Sequence, residues 1–210
     1  MRGRASIAGS ARRAHRVRPA ARARTGRRRA LGAVVVLGAL VAIGFAVRPV
    51  VDDAIKEFTL PLRHEDVIRQ QARDKNLDPA LIAAVIYRES KFRDVTSNAG
   101  AKGLMQILPE TAHFIARTSG GTEFEQGDLA DPQINISYGS WYLRYLLDRY
   151  DGNIVAAVAA YNAGHTRVDE WGGKGLRVED IRFPETADYT RDVIDKRADY
   201  AREYRSELGL

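Results

Sequence analysis

Residues 77–92 read LDPALIAAVIYRESKF, and the fold turns on how this stretch is read. Asp78 followed by Pro79 is a helix start. The carboxylate can accept from free backbone N–H groups, and a proline at the first helical position has no N–H to leave unpaired. The spacing that follows is helical: taking about 100° per residue from Leu81, Val85 falls near 40°, Glu89 near 80°, Ile82 near 100° and Ile86 near 140°. Glu89 is therefore expected in the middle of the apolar stripe, flanked by Arg88 and Ser90. A carboxylate there is costly unless it is paired or kept protonated. Two readings fit: a glutamate satisfied by a neighbouring arginine or backbone donor, or an acid whose raised pKa serves proton transfer.

Outward from this stretch the chain reads as mainly α. HEDVIRQQARDKN (64–76) makes one helix. SNAGAKGLMQIL (97–108), with Gly100 and Gly103, reads as a turn-rich or short hairpin insertion. PETAHFIARTSGG (109–121) is a helix opened by Pro109 and closed by Gly120, and DPQINISYGSWYLRYLLDRY (131–150) is another, opened near Asp131. NIVAAVAAYNAG (153–164) is apolar all round and alanine-rich, so it is expected as a buried central helix ending at Gly164. PETADYTRDVIDKRADYAREY (184–204) makes the last. No internal repeat is present.

The net charge of +6 is unevenly placed. Residues 1–29 hold eleven arginines and no acid, which leaves 22 Lys and Arg against 27 Asp and Glu for the remainder. The basic excess belongs to a tail and the rest is mildly acidic, so a nucleic-acid partner is not expected. With no cysteine there is no disulfide, thiolate nucleophile or Cys-ligated metal, and the four histidines lack ligand spacing. No metal or other cofactor is expected.

Residues 30–47, ALGAVVVLGALVAIGFAV, are uncharged. As a helix they span roughly 27 Å, close to the roughly 30 Å hydrocarbon core of a bilayer. Arginines before the run hold that end in the cytoplasm. The organisation expected is an arginine-rich cytoplasmic tail (1–29), a transmembrane anchor (30–47), a stalk (48–62) and an extracytoplasmic domain (63–206). The rival is a cleaved signal peptide with small residues near Gly44 and Ala46, which would release a secreted form.

The chain has no GxSxG elbow, Walker loop, GxGxxG or HExxH. The candidates that remain are Glu89 with Ser90, Met105 with Gln106, Tyr161 with Asn162, and Glu185 with Tyr189 one helical turn on. Each has a bland reading when taken alone. Met105 fits a core, Tyr161 and Asn162 fit a helix end, and Glu185 fits a first-turn acid facing the helix dipole.

Five blocks in order, RESKF, SNAGAKGLMQILPETA, DPQINISYGSWYL, AAYNAG and FPETADY, together resemble the soluble lytic transglycosylase type of peptidoglycan-cleaving enzyme, over roughly residues 60–205. The form resembles the small, membrane-tethered members. This resemblance implies a lysozyme-like α+β fold, mainly α with a small hairpin insertion. It implies Glu89 as the single catalytic acid/base, and a glycan cleft lined by Ser90, Met105, Gln106, Tyr161, Asn162, Glu185 and Tyr189. The implied partners are peptidoglycan glycan strands and, through the anchor, the membrane. Ordinary glycosidases use two carboxylates. The implied reaction uses one: Glu89 protonates the β-1,4 glycosidic oxygen between N-acetylmuramic acid and N-acetylglucosamine. It then takes the proton from the muramic C6 hydroxyl, giving a 1,6-anhydro end. The sequence departs from the family pattern at Ala187, where an arginine is usual, and at Arg63-His64, where an aromatic often stands. The alternatives are a goose-type muramidase, with water in place of the C6 hydroxyl, and a catalytically silent, membrane-anchored glycan-binding protein.

Overall fold

The computed structural model describes residues 20–120 and 126–210. Among them the helices are α1 (Ala20–Thr59), α2 (Glu65–Lys75), α3 (Pro79–Ser90), α4 (Pro109–Ser119), α5 (Pro132–Arg149), α6 (Ile154–Ala163), α7 (His165–Trp171), α8 (Pro184–Glu203) and α9 (Arg205–Leu208). Short 3-10 turns occur at Gln126–Ala130, Gly173–Gly175 and Val178–Asp180. The described residues contain no sheet. The expected hairpin is reduced to two isolated antiparallel bridges, Thr96 to Lys102 and Lys102 to Ile107.

Local chemistry sets the helix starts. α3, α4, α5 and α8 each open on a proline in the first turn. Asp78 accepts from the Ala80 N–H, Asp131 from Gln133 and Ile134, and Asn153 from Ala156. These caps satisfy donors that the helix itself cannot. Gly120 closes α4 in the left-handed region at φ 79°, a conformation that glycine adopts without strain.

The chain divides into two units, one up to Ala54 and one from Ile55 to Leu210. In the first, α1 exposes Val34, Val35, Val36, Leu37, Leu40 and Ile43. Its stretch Gly32–Thr59 is long and apolar enough to cross a membrane by length and composition. Residues 48–62, expected as a stalk, continue this helix past Pro49 as far as Thr59.

In the second unit α3 packs on α2 and α8, while α6 packs on α5, α7 and α8. Helix α6 has the expected buried body, with Ala156 to Ala160 wholly enclosed. The single buried face expected for α3 is not what forms. No residue from Ala80 through Ile86 exceeds 1% exposure, so the first two turns are buried on every side. Only in the last turn do Tyr87, Arg88 and Glu89 become partly exposed. The reason lies in composition: Ala80, Ala83 and Ala84 stand where a surface helix carries charges, and their small side chains let neighbours close on that side too. Glu89 therefore lies at the mouth of a buried helix, not within a sealed stripe. Just after α1, the Leu60 and Pro61 carbonyls accept from the Tyr204 and Tyr200 hydroxyls at 2.7 and 2.6 Å.

Candidate active site

Three elements meet at Glu89. The buried face of α8 runs through Thr186, Ala187, Tyr189, Thr190 and Val193, the spacing of a helix stripe. That face directs Tyr189 inward, and its hydroxyl donates to Glu89 Oε1 at 2.6 Å. From α6 comes Tyr161, whose hydroxyl donates to the Met105 carbonyl at 3.0 Å. The Glu89 carboxyl raises the pKa of both phenols, as burial does more strongly, so both remain protonated donors.

Burial pushes Glu89 up to about 7, against the opposing Tyr189 hydrogen bond and the Arg88 charge. Among the described residues no other carboxylate acts on it. A carboxyl raised towards neutrality can both give and take a proton near pH 7. Tyr189 occupies one oxygen and is the sole hydrogen-bond donor to the carboxyl among the described residues.

The loop over residues 93–108 forms the next wall. Asn135, fully buried on α5, holds it at two points and ties it to the 3-10 turn at Leu129. Its amide donates to the Lys102 and Leu129 carbonyls at 2.9 and 3.0 Å, and its oxygen accepts from the Met105 N–H at 2.8 Å. A Cβ at Gly103 would meet the Asn135 amide and, at 2.6 Å, the Leu129 carbonyl oxygen. Gln106 adopts φ 48°, an unusual conformation for a residue with a side chain. Its amide turns back to donate to the Val95 and Gly103 carbonyls, both at 2.8 Å.

The structure brings Glu89, Ser90, Met105, Tyr161 and Tyr189 into one cluster, in differing capacities. Ser90 is buried and donates to the Leu104 carbonyl at 2.8 Å, pinning the loop to α3. The Met105 side chain is wholly buried, and its carbonyl is what Tyr161 grips. Asn162 is exposed and accepts from the Thr186 hydroxyl at 2.8 Å, linking α6 to α8. Glu185 shares the first turn of α8 but is exposed and makes no hydrogen bond or ion pair among the described residues. Sequence reasoning passed over Asn135, whose only signal is an amide between apolar positions. It also passed over Tyr142, Phe114 and His165. These three line a cavity of about 260 Å³ with Glu110 and Thr111, and the Tyr142 ring packs on that of Tyr161 at 5.6 Å. Among the described residues no three His, Cys, Asp or Glu side chains gather where a metal ion could sit.

Fold and site together describe a helical domain in which a partly exposed glutamate at the end of a buried helix is gripped by a tyrosine from another helix. Residues 66–182 match the transglycosylase SLT domain, and the chain belongs to that family. The soluble lytic murein transglycosylase of Salmonella typhimurium is 34% identical over 162 residues, 73% of this chain and 24% of that protein. Membrane-bound lytic murein transglycosylase F of Pseudomonas fluorescens is 32% identical over 115 residues, 51% of this chain and 22% of that protein. The solved structure of an inactive mutant of the lytic transglycosylase Slt from Pseudomonas aeruginosa superposes with a TM-score of 0.67 at 32% identity, covering 72% of this chain and 26% of that one. The chain thus spans about a quarter of the length of these relatives.

Proposed function

We propose that this protein is a peptidoglycan lytic transglycosylase. It cleaves the β-1,4 bond between N-acetylmuramic acid and N-acetylglucosamine and leaves a 1,6-anhydro muramic end. The observation that carries this reading is the Glu89 carboxyl, raised to about 7 by burial and held by the Tyr189 hydroxyl, with no second carboxylate acting on it among the described residues. Protonated, it donates to the glycosidic oxygen as the bond to C1 breaks. As a carboxylate steadied by Tyr189, it then removes the proton from the C6 hydroxyl, whose oxygen closes on C1. Met105, Gln106, Tyr161 and Asn162 border the bound glycan, with Glu185 at its edge, and Ser90 acts through the loop it anchors. Membership of the SLT family supports the same assignment.

The test is mass spectrometry of fragments released from purified peptidoglycan by the full chain in detergent. Fragments lighter by one water than hydrolysed ends support the transglycosylase; reducing ends alone indicate a muramidase, and no cleavage indicates a binding protein.

The apolar stretch of α1 after the arginine-rich tail supports a single membrane anchor with the tail in the cytoplasm and the domain outside. Protease added to intact spheroplasts then removes the domain and spares the tail. A soluble mature protein beginning near Val47 would overturn the anchor.

A further inference from the structure

Arg88 precedes the catalytic candidate on α3, and Asp192 follows Tyr189 by one turn on α8, so α3 and α8 each contribute two neighbouring members of one cluster. The Arg88 guanidinium carbon lies 5.3 Å from the centroid of the Tyr189 ring. Its Nε, buried and without a hydrogen bond among the described residues, lies 3.2 Å from Asp192 Oδ2 in an ion pair, with the arginine and aspartate side chains 36% and 61% exposed. Tyr189 in turn donates to Glu89 at 2.6 Å. The four side chains thus form a chain from Asp192 through Arg88 and Tyr189 to Glu89.

We propose that Arg88 and Asp192 are positioning residues for the reaction: Asp192 holds the guanidinium over the Tyr189 ring, and the ring so held keeps the phenol on Glu89. This rests on the reading of Glu89 as the proton carrier. The physical reasons are two. A cation over a tyrosine face is attracted by the ring quadrupole and restrains the ring. The same charge lies beside Glu89 and favours its carboxylate form, which opposes the upward push of burial. Asp192 sets how closely that charge is held, and being exposed it does so without filling any part of the core.

Among the described residues, the groups facing Glu89 are few. Arg88 comes from α3, Tyr189 from α8 and Tyr161 from α6. Lys196, one turn beyond Asp192, pairs with Asp199 at 2.8 Å and feels Asp192 more weakly. The change in Glu89 on altering Arg88 is therefore a direct reading of this pair.

The experiment measures pH–rate profiles of the full chain in detergent micelles on purified peptidoglycan. Arg88→Met retains a chain of similar length without the charge. It is expected to lower kcat several-fold with KM nearly unchanged, and to move the descending limb to higher pH by about half a unit. Arg88→Lys keeps the charge and should return the limb close to its original pH. Asp192→Asn is expected to lower kcat less, and the double variant should match Arg88→Met alone, because the aspartate acts only through the arginine. An unmoved limb, a loss confined to KM, or additive effects of the two substitutions would overturn the proposal. If the unaltered chain cleaves no glycan, it is the proposed function that fails. The pair is then tested by NMR titration of labelled glutamate carboxyls. A higher pKa for Glu89 in Arg88→Met supports the inference, and an unchanged one overturns it.

Discussion

The Tyr189 hydroxyl and the Glu89 carboxyl, 100 positions apart in the chain, are joined by a 2.6 Å hydrogen bond that α3 and α8 create by packing together. The bond steadies the carboxylate while burial favours the acid, and burial prevails to leave the group at about 7. Cleavage that begins with proton donation should therefore decline as pH rises through about 7. Glu89→Gln should keep the fold and lose activity by about 10²–10⁴ or more, since one group serves both proton transfers. Digestion of peptidoglycan at normal rate by that variant would remove Glu89 from the chemistry.

The same residue ties stability to pH. Its folded value, about 7, lies above the unfolded 4.5, so between these limits the native state binds more protons and stability falls as pH rises. The stabilising contribution is complete below about 4.5 and gone above about 7. Glu89→Gln abolishes this slope. The variant should match the parent near pH 4 and exceed it near pH 8 by about 1–3 kcal/mol, a range reduced for the partial exposure of the carboxyl. Urea denaturation at the two pH values measures the difference.

Tyr161→Phe leaves the Met105 carbonyl without its phenolic partner. Loss of one such bond should cost about 1–3 kcal/mol. Because Met105 belongs to the loop beside Glu89, kcat should fall as well. A variant with unchanged kcat and lowered melting temperature would confine Tyr161 to packing.

Asn135→Ala removes three hydrogen bonds at a fully buried position. The expected loss is about 3 kcal/mol, because the Met105 N–H and the Leu129 carbonyl lose their side-chain partner, while the Lys102 carbonyl keeps the Ile107 N–H. Chemical denaturation checks the magnitude. Increased proteolytic nicking within 93–108 checks that it is the loop that loosens.

Gly139→Ala tests the other side of Met105. A Cβ at Gly139 would meet the Met105 Sδ and stand 2.8 Å from its Cβ. The thioether can move aside, but its Cβ cannot without shifting the loop. Overpacking of this kind typically costs about 1–3 kcal/mol, and activity should fall more than it does for a substitution at exposed Arg191.

Local chemistry made much of the fold legible. Asp78, Asp131 and Asn153 cap helices within three residues of themselves, the prolines at 79, 109, 132 and 184 mark first turns, and Gly120 and Gly164 mark ends. Each of these interactions is complete inside one turn of chain, so residue type and order suffice to read it. The apolar run of 30–47 and the five motif blocks are likewise linear features. Short helices such as α7 and α9 escaped notice because four to seven residues carry too little periodicity to stand out.

What sequence alone determined, then, is where helices begin, that a lone glutamate stands at the end of an apolar one, and which family pattern surrounds it. Tertiary structure decided the environment of that glutamate. Burial of the first two turns of α3 on all sides, the approach of Tyr189 from α8 and Tyr161 from α6, and the Asn135 clamp on the Met105 loop all join residues dozens of positions apart. The pKa of Glu89 depends on the dielectric and charges around it in space. Those are set by which helices pack together, a property that no window of sequence contains.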